Sequence, residues 1–146
     1  MTIFTMGFTQ KNAQQFFELI KSNKIDLLID IRLNNKSQLA GFTKGPDLAY
    51  FLKQICNCEY SHCVDFAPTK EILDNYKKGT TTWIDYENSF IPLLEKRKIE
   101  NLFVSQYSHF NNICLLCSEP TPQMCHRRLV ADYLKNHIPK VSIKHI

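Results

Sequence analysis

Leu27-Leu28-Ile29-Asp30-Ile31-Arg32 is the stretch on which the fold turns. It lacks the polar alternation of a half-exposed strand. An apolar run of this length reads as a strand covered on both faces, as parallel sheets require. Upstream, Ile3-Phe4-Thr5-Met6 reads as a short buried first strand, stopped by Gly7-Phe8-Thr9. Between the two, Ala13, Phe16, Phe17 and Ile20 recur at i, i+3, i+4 and i+7, which predicts a helix over residues 11–22 with Thr9 as its N-cap. Strand, helix and strand within about thirty residues make a βαβ unit, whose crossover should be right-handed.

Downstream, residues 33–44 are polar and irregular, a loop long enough to suggest function rather than connection alone. Pro46 fits the first position of a helix through Cys56, with Leu48, Phe51, Leu52 and Ile55 on one face. Glu59 to Val64 alternates as a strand does. Thr69 to Tyr76 reads as a short capped helix closing near Gly79, and Trp83, Tyr86, Phe90, Ile91 and Leu94 define a longer one to Lys96. Asn101 to Ser105 fits a strand or a helix end. Ile113 to Leu116 is the best late strand. Thr121 and Pro122 offer an N-cap and a first-turn proline for a helix to Asn136, and Val141 to His145 suits a last strand. The expected fold is α/β, with residues 1–146 forming one domain around a mostly parallel sheet flanked by helices.

A chain of 146 residues with 44% hydrophobic content supplies one core, and folding should remove roughly 70% of its unfolded surface from water. No stretch approaches the roughly 18 apolar residues of a membrane span, and the start lacks a secretory pattern. The expectation is a cytoplasmic protein without a membrane partner. In that setting six cysteines point to burial, catalysis or metal ligation before disulfides. The net charge of +4 is spread along the chain. It suits an anionic small molecule or nucleotide as partner, supports nucleic acid only weakly, and says nothing of oligomeric state.

In an open parallel sheet, ligands bind beyond the carboxyl ends of the strands. Three predicted strands carry unusual residues there: Thr5, Gly7, Phe8 and Thr9; Asp30 and Arg32; Cys117 and Glu119. Asp30 and Arg32 share one side of an extended strand. They offer either an acid–base carboxylate beside an anion-gripping guanidinium, or a strand-end ion pair that orients the next loop. Cys125, His126 and Arg127 fall at the start of the last predicted helix, where backbone N–H groups and the helix dipole favour a thiolate. Cys125 then reads as a nucleophile or ligand, or as an inert buried thiol, and His126 as its partner or as a core histidine.

Cys114, Cys117, Cys125 and His126 have the ligand types of a zinc site, but period-two alternation would turn Cys114 away from Cys117. The phosphatase loop, the P-loop, the dinucleotide fingerprint and the zinc-deaminase pair all lack their usual residues. No cofactor is implied.

The residues Thr5-Met6-Gly7-Phe8-Thr9, Asp30-Ile31-Arg32 with Ser37 and Phe42, Leu116-Cys117-Ser118-Glu119 and Cys125-His126-Arg127 together resemble the family catalogued as domain of unknown function 488. Asn35 departs from the family, which often has proline after its Asp-Val-Arg segment, and this implies a less rigid loop. The resemblance implies a compact α/β domain with these motifs at one site, and it brings no activity with it. The site so read has Asp30, Glu119, Cys125 and His126 as catalytic candidates and no metal. Thr5, Gly7, Phe8, Arg32, Ser37, Cys117 and Arg127 would bind ligand. Whether the chain is an enzyme stays open against a non-enzymatic binding module, or a zinc site, built from the same residues.

Overall fold

In the computed structural model, which describes residues 1–36 and 40–146, Leu27–Asp30 forms strand β2, buried at every position. It pairs with β3 (Glu59–His62) on one side and with β4 (Asn112–Cys117) on the other. Beyond β4 lie β1 (Thr2–Gly7) and β5 (Ser142–His145), giving the order β3-β2-β4-β1-β5 with every pairing parallel. Interior strands have no wet face, which is why β2 and β4 are written as apolar runs. The two edge strands are more exposed and correspondingly polar in sequence.

Helices α1 (Ala13–Ser22) and α2 (Gly45–Phe51) cover one face, setting Phe16, Phe17, Ile20 and Leu48 against Phe4, Met6, Leu28 and Leu116. On the other face are α3 (Lys70–Lys77), α4 (Trp83–Arg97), α5 (Ile99–Tyr107) and α6 (His126–His137). There Phe90, Phe103, Val130 and Leu134 meet Ile3, Ile29, Ile113 and Leu115. Each such fully buried side chain contributes about 1.5–3 kcal/mol, so the two-sided core dominates the fold. Helices joining β1, β2 and β3 lie on one face and those joining β3, β4 and β5 on the other, so the chain reverses where β4 returns beside β2. That reversal opens a crevice at the carboxyl ends of β2 and β4.

Several local expectations are corrected. Thr9 does not cap α1: its hydroxyl donates to the Ser118 carbonyl at 2.6 Å. The cap is Asn12, which accepts from the Gln15 N–H while the Gln15 side chain accepts from the Asn12 N–H. Nor does α6 start at Pro122. Arg127 and Arg128 donate to the carbonyls of Glu119 and Gln123, fixing an irregular turn, and Cys125 becomes the cap residue. The undecided stretch 101–105 lies within α5, set off from α4 by Lys98 at φ +51°. The helix after Pro46 ends in a wider π turn over Leu52–Cys56, and β3 stops at His62, ahead of a 3₁₀ turn at Val64–Phe66.

Asn35 anchors its loop: its side chain donates to the Tyr60 hydroxyl at 3.0 Å and its carbonyl accepts from the Gly45 N–H at 2.9 Å. Ser37 lies outside the described residues. No described helix is long and apolar enough to cross a membrane.

Candidate functional site

The site is built where β4 ends and α6 begins. Alternation along β4 puts Cys114 with the α1–α2 core and Cys117 on the opposite side, so the Cys-x2-Cys spacing does not gather its two sulfurs. Cys117 instead meets Cys125 and His126. The two Sγ atoms and a ring nitrogen of His126 all lie within 4.8 Å of one another, and all three residues are buried.

His126 Nε2 stands 2.8 Å from the Ile31 carbonyl oxygen, and a carbonyl can only accept. Nε2 therefore carries the hydrogen, which leaves Nδ1 as the lone-pair nitrogen, 3.5 Å from Cys117 Sγ. Burial holds the His126 pKa below its ordinary value, so the ring stays neutral at physiological pH.

The two thiols are unequal. The Cys117 pKa is lowered, first by the hydrogen bond it accepts from the Cys125 thiol, then by the N–H groups of Ser118 and Glu119 and by the Arg127 guanidinium, against the opposing effect of burial. The Cys125 pKa is raised, because its thiol donates to Cys117 and because it is buried. Of the two, Cys117 is the more acidic, while the Arg127 guanidinium meets the pair at Cys125 Sγ.

Arg127 sets the electrostatics of the pair. Its side chain is 1% exposed. Nη1 donates to the Glu119 carbonyl at 2.5 Å and to Cys125 Sγ at 3.4 Å, Nη2 reaches the Pro120 carbonyl at 3.5 Å, and Nε has no partner among the described residues. Among the described residues no carboxylate pairs with it. A second cation, Lys11, is close enough that Arg127, after burial, lowers its pKa. An uncompensated buried charge costs several kcal/mol, and among the described residues the titratable acid in contact with this guanidinium is the Cys125 thiol, beside Cys117.

A cavity of about 480 Å³ lies over the sulfurs, lined by Arg32, Cys117, Glu119, Cys125 and His126 on the strand side. The far wall comes from α3 and α4. Trp83 stacks on Tyr86 at 4.9 Å and 16°, and Tyr76 stands edge-on to both. Lys77 supplies positive charge to the same lining, where Lys70 is paired with Asp74.

Of the other residues singled out in the sequence, Arg32 reaches this cavity, whereas Thr5, Gly7, Phe8 and Asp30 do not line it. The Asp30 carboxylate accepts four hydrogen bonds, from Arg32 N, Nε and Nη2 and from the Tyr60 hydroxyl. Arg32 also donates to the Thr43 carbonyl at 2.6 Å, and its guanidinium sits 5.1 Å from the centre of the Phe8 ring. Thr5 bonds His145 at 2.6 Å. Gly7 packs under Glu119: a Cβ there would stand 1.6 Å from the Glu119 carbonyl oxygen. The aromatic wall was missed by motif reading. Its signal was present, since Tyr76, Trp83 and Tyr86 crowd a short polar stretch and Trp83 is the chain's single tryptophan.

For a metal, the available atoms are the two sulfurs and His126 Nδ1, with the Ile31 carbonyl holding the ring as an outer-shell partner does. This donor set suits a soft divalent ion with a fourth position open to the cavity. The guanidinium 3.4 Å from Cys125 Sγ works against further positive charge there.

The family model described as domain of unknown function DUF488 matches residues 12–134, a span that includes the Asp30–Arg32 pair and the Cys117, Cys125 and His126 cluster. No curated protein and no solved structure matches the chain.

Proposed function

The chain belongs to the DUF488 family, and from its site we propose a thiol-dependent enzyme that acts on a planar, anionic, nucleotide-like molecule held in the cavity over Cys117. The observation that carries this reading is a sulfur pair at the cavity wall, backed by a buried guanidinium with no carboxylate partner among the described residues. Thiolate, not thiol, is the nucleophile, and the Cys125 thiol, two backbone N–H groups and Arg127 favour it at Cys117.

In this reading Cys117 attacks an electrophilic centre of the ligand. Cys125 and Arg127 are positioning groups, and neutral His126 offers Nδ1 as acceptor for a proton at the sulfur. Glu119, at the cavity edge, is the carboxylate placed to exchange protons with a bound ligand. Asp30 and Arg32 are spent on one another and on Thr43 and Tyr60, so their part is to fix the wall on which Arg32 ends. The Trp83–Tyr86 stack supplies a face for a ring, and Lys77 supplies charge for an anion. All six cysteines are free, which suits a reducing compartment such as the cytoplasm.

Iodoacetamide labelling of the native protein, mapped by peptide mass, tests the reading together with a nucleoside monophosphate titration followed by Trp83 fluorescence. The expected result is selective alkylation of Cys117 below the ordinary thiol range, slowed by a nucleotide that also shifts the fluorescence. Uniformly slow labelling of all six thiols would overturn it. The second reading, favoured by the three donor atoms within 4.8 Å, is a zinc site. Stoichiometric zinc, lost in both Cys117→Ser and Cys125→Ser, would establish that instead.

A further inference from the structure

Attack by one thiolate needs one sulfur, yet a second stands beside it. Cys125 is 2% exposed, lines the same cavity and holds its Sγ within 4.8 Å of Cys117 Sγ. The other four thiols are elsewhere. Cys114 faces the opposite core with Cys58, Cys56 lies by the Phe17 carbonyl, and Cys63 sits after β3. Cys117 and Cys125 thus form a dithiol that shares one opening. Cys125 occupies an extended residue ahead of α6, where a turn about its side-chain bond moves the sulfur without unwinding the helix.

Resting on the reading of Cys117 as the nucleophile, we propose that the Cys117–Cys125 pair reduces hydroperoxides, with Cys125 as the resolving thiol. Cys117 thiolate attacks the terminal peroxide oxygen. An S–O bond forms, the O–O bond breaks, and the leaving alkoxide takes the Cys125 proton to depart as the alcohol. Cys117 is now a sulfenic acid and Cys125 a thiolate. Cys125 then attacks Cys117: the S–S bond forms, the S–OH bond breaks, and hydroxide leaves and takes a proton from an acid of the solvent buffer to become water. Two electrons pass from the sulfurs to the peroxide, and an external dithiol returns them. Arg127, 3.4 Å from Cys125 Sγ, sits beside whichever sulfur carries the charge. The sulfurs must close from within 4.8 Å to about 2.05 Å, a distance that side-chain rotation covers.

The test exposes the folded full chain to one equivalent of hydrogen peroxide, blocks free thiols, and maps non-reduced peptides. Wild type should yield the Cys117–Cys125 disulfide in most molecules, reversible by dithiothreitol. Cys125→Ser should instead hold a Cys117 sulfenic acid that dimedone traps, and Cys117→Ser should give neither product and consume peroxide at least ten-fold more slowly. Circular dichroism checks that both variants fold, and Cys125→Ala serves if the serine variant does not. Dimedone labelling of Cys117 in wild type without disulfide would overturn the resolving role while leaving the nucleophile intact. No labelling of Cys117 in any variant would overturn both. A disulfide from Cys117 to any other cysteine would also overturn the proposal.

Discussion

His126 Nε2 donates to the Ile31 carbonyl oxygen at 2.8 Å, tying the first turn of α6 to the end of β2 across 95 residues of chain. The bond fixes the tautomer, and burial keeps the ring neutral. The unfolded chain protonates this histidine near its ordinary value of 6.5, whereas the folded chain resists. With the folded pKa depressed, the stability His126 contributes is fully present above pH 6.5 and is lost as pH falls from there through the folded value. Thermal melts between about pH 8 and pH 5 should show this loss in wild type. His126→Gln, whose amide can still donate to Ile31, should show a shallower slope; an equal slope would remove His126 as the cause.

Asp30 and Arg32 form a buried ion pair at 2.7 Å, 0% and 3% exposed. Removing one partner strands the other, so Asp30→Asn should destabilise the fold by about 3–5 kcal/mol in urea unfolding. The double variant Asp30→Leu with Arg32→Met should recover most of that loss, since it buries no lone charge. A double variant as unstable as the single one would contradict this account of the pair.

Gly7 leaves no room for a side chain. The Glu119 carbonyl that would clash with a Cβ is itself held by Arg127 Nη1. Gly7→Ala should therefore cost about 1–3 kcal/mol and slow Cys117 alkylation, because displacing the Glu119 carbonyl also shifts the N–H of the same residue, one of the groups that lower the Cys117 pKa. Loss of stability with unchanged Cys117 reactivity would separate the glycine from the site.

How much of this was legible in the sequence follows from which interactions are local. The βαβ start, the buried runs of β2 and β4 and the α/β class are written in periodicity. Alternation also placed Cys114 away from Cys117. Helix starts were misread where long-range bonds decide them: Thr9 is spent on Ser118, and α6 waits until Arg127 has taken the Glu119 carbonyl. Motif reading brought Cys117, Cys125 and His126 into view together. It could not tell which sulfur is the more acidic, because that depends on how the fold sets the two sulfurs against one another and against a buried guanidinium. The aromatic wall is assembled from two helices that carry no motif.

The most direct test of the central claim is a titration of ultraviolet thiolate absorbance in the folded protein, for wild type, Cys117→Ser and Cys125→Ser. Wild type should gain one thiolate's absorbance at a pH below the ordinary thiol value of 9.0, and Cys117→Ser should lose that step. Cys125→Ser should keep it, since a hydroxyl can donate to Cys117 as the thiol does. A wild-type curve that rises only at or above 9.0 and matches Cys117→Ser would contradict a thiolate at Cys117 and the function built on it.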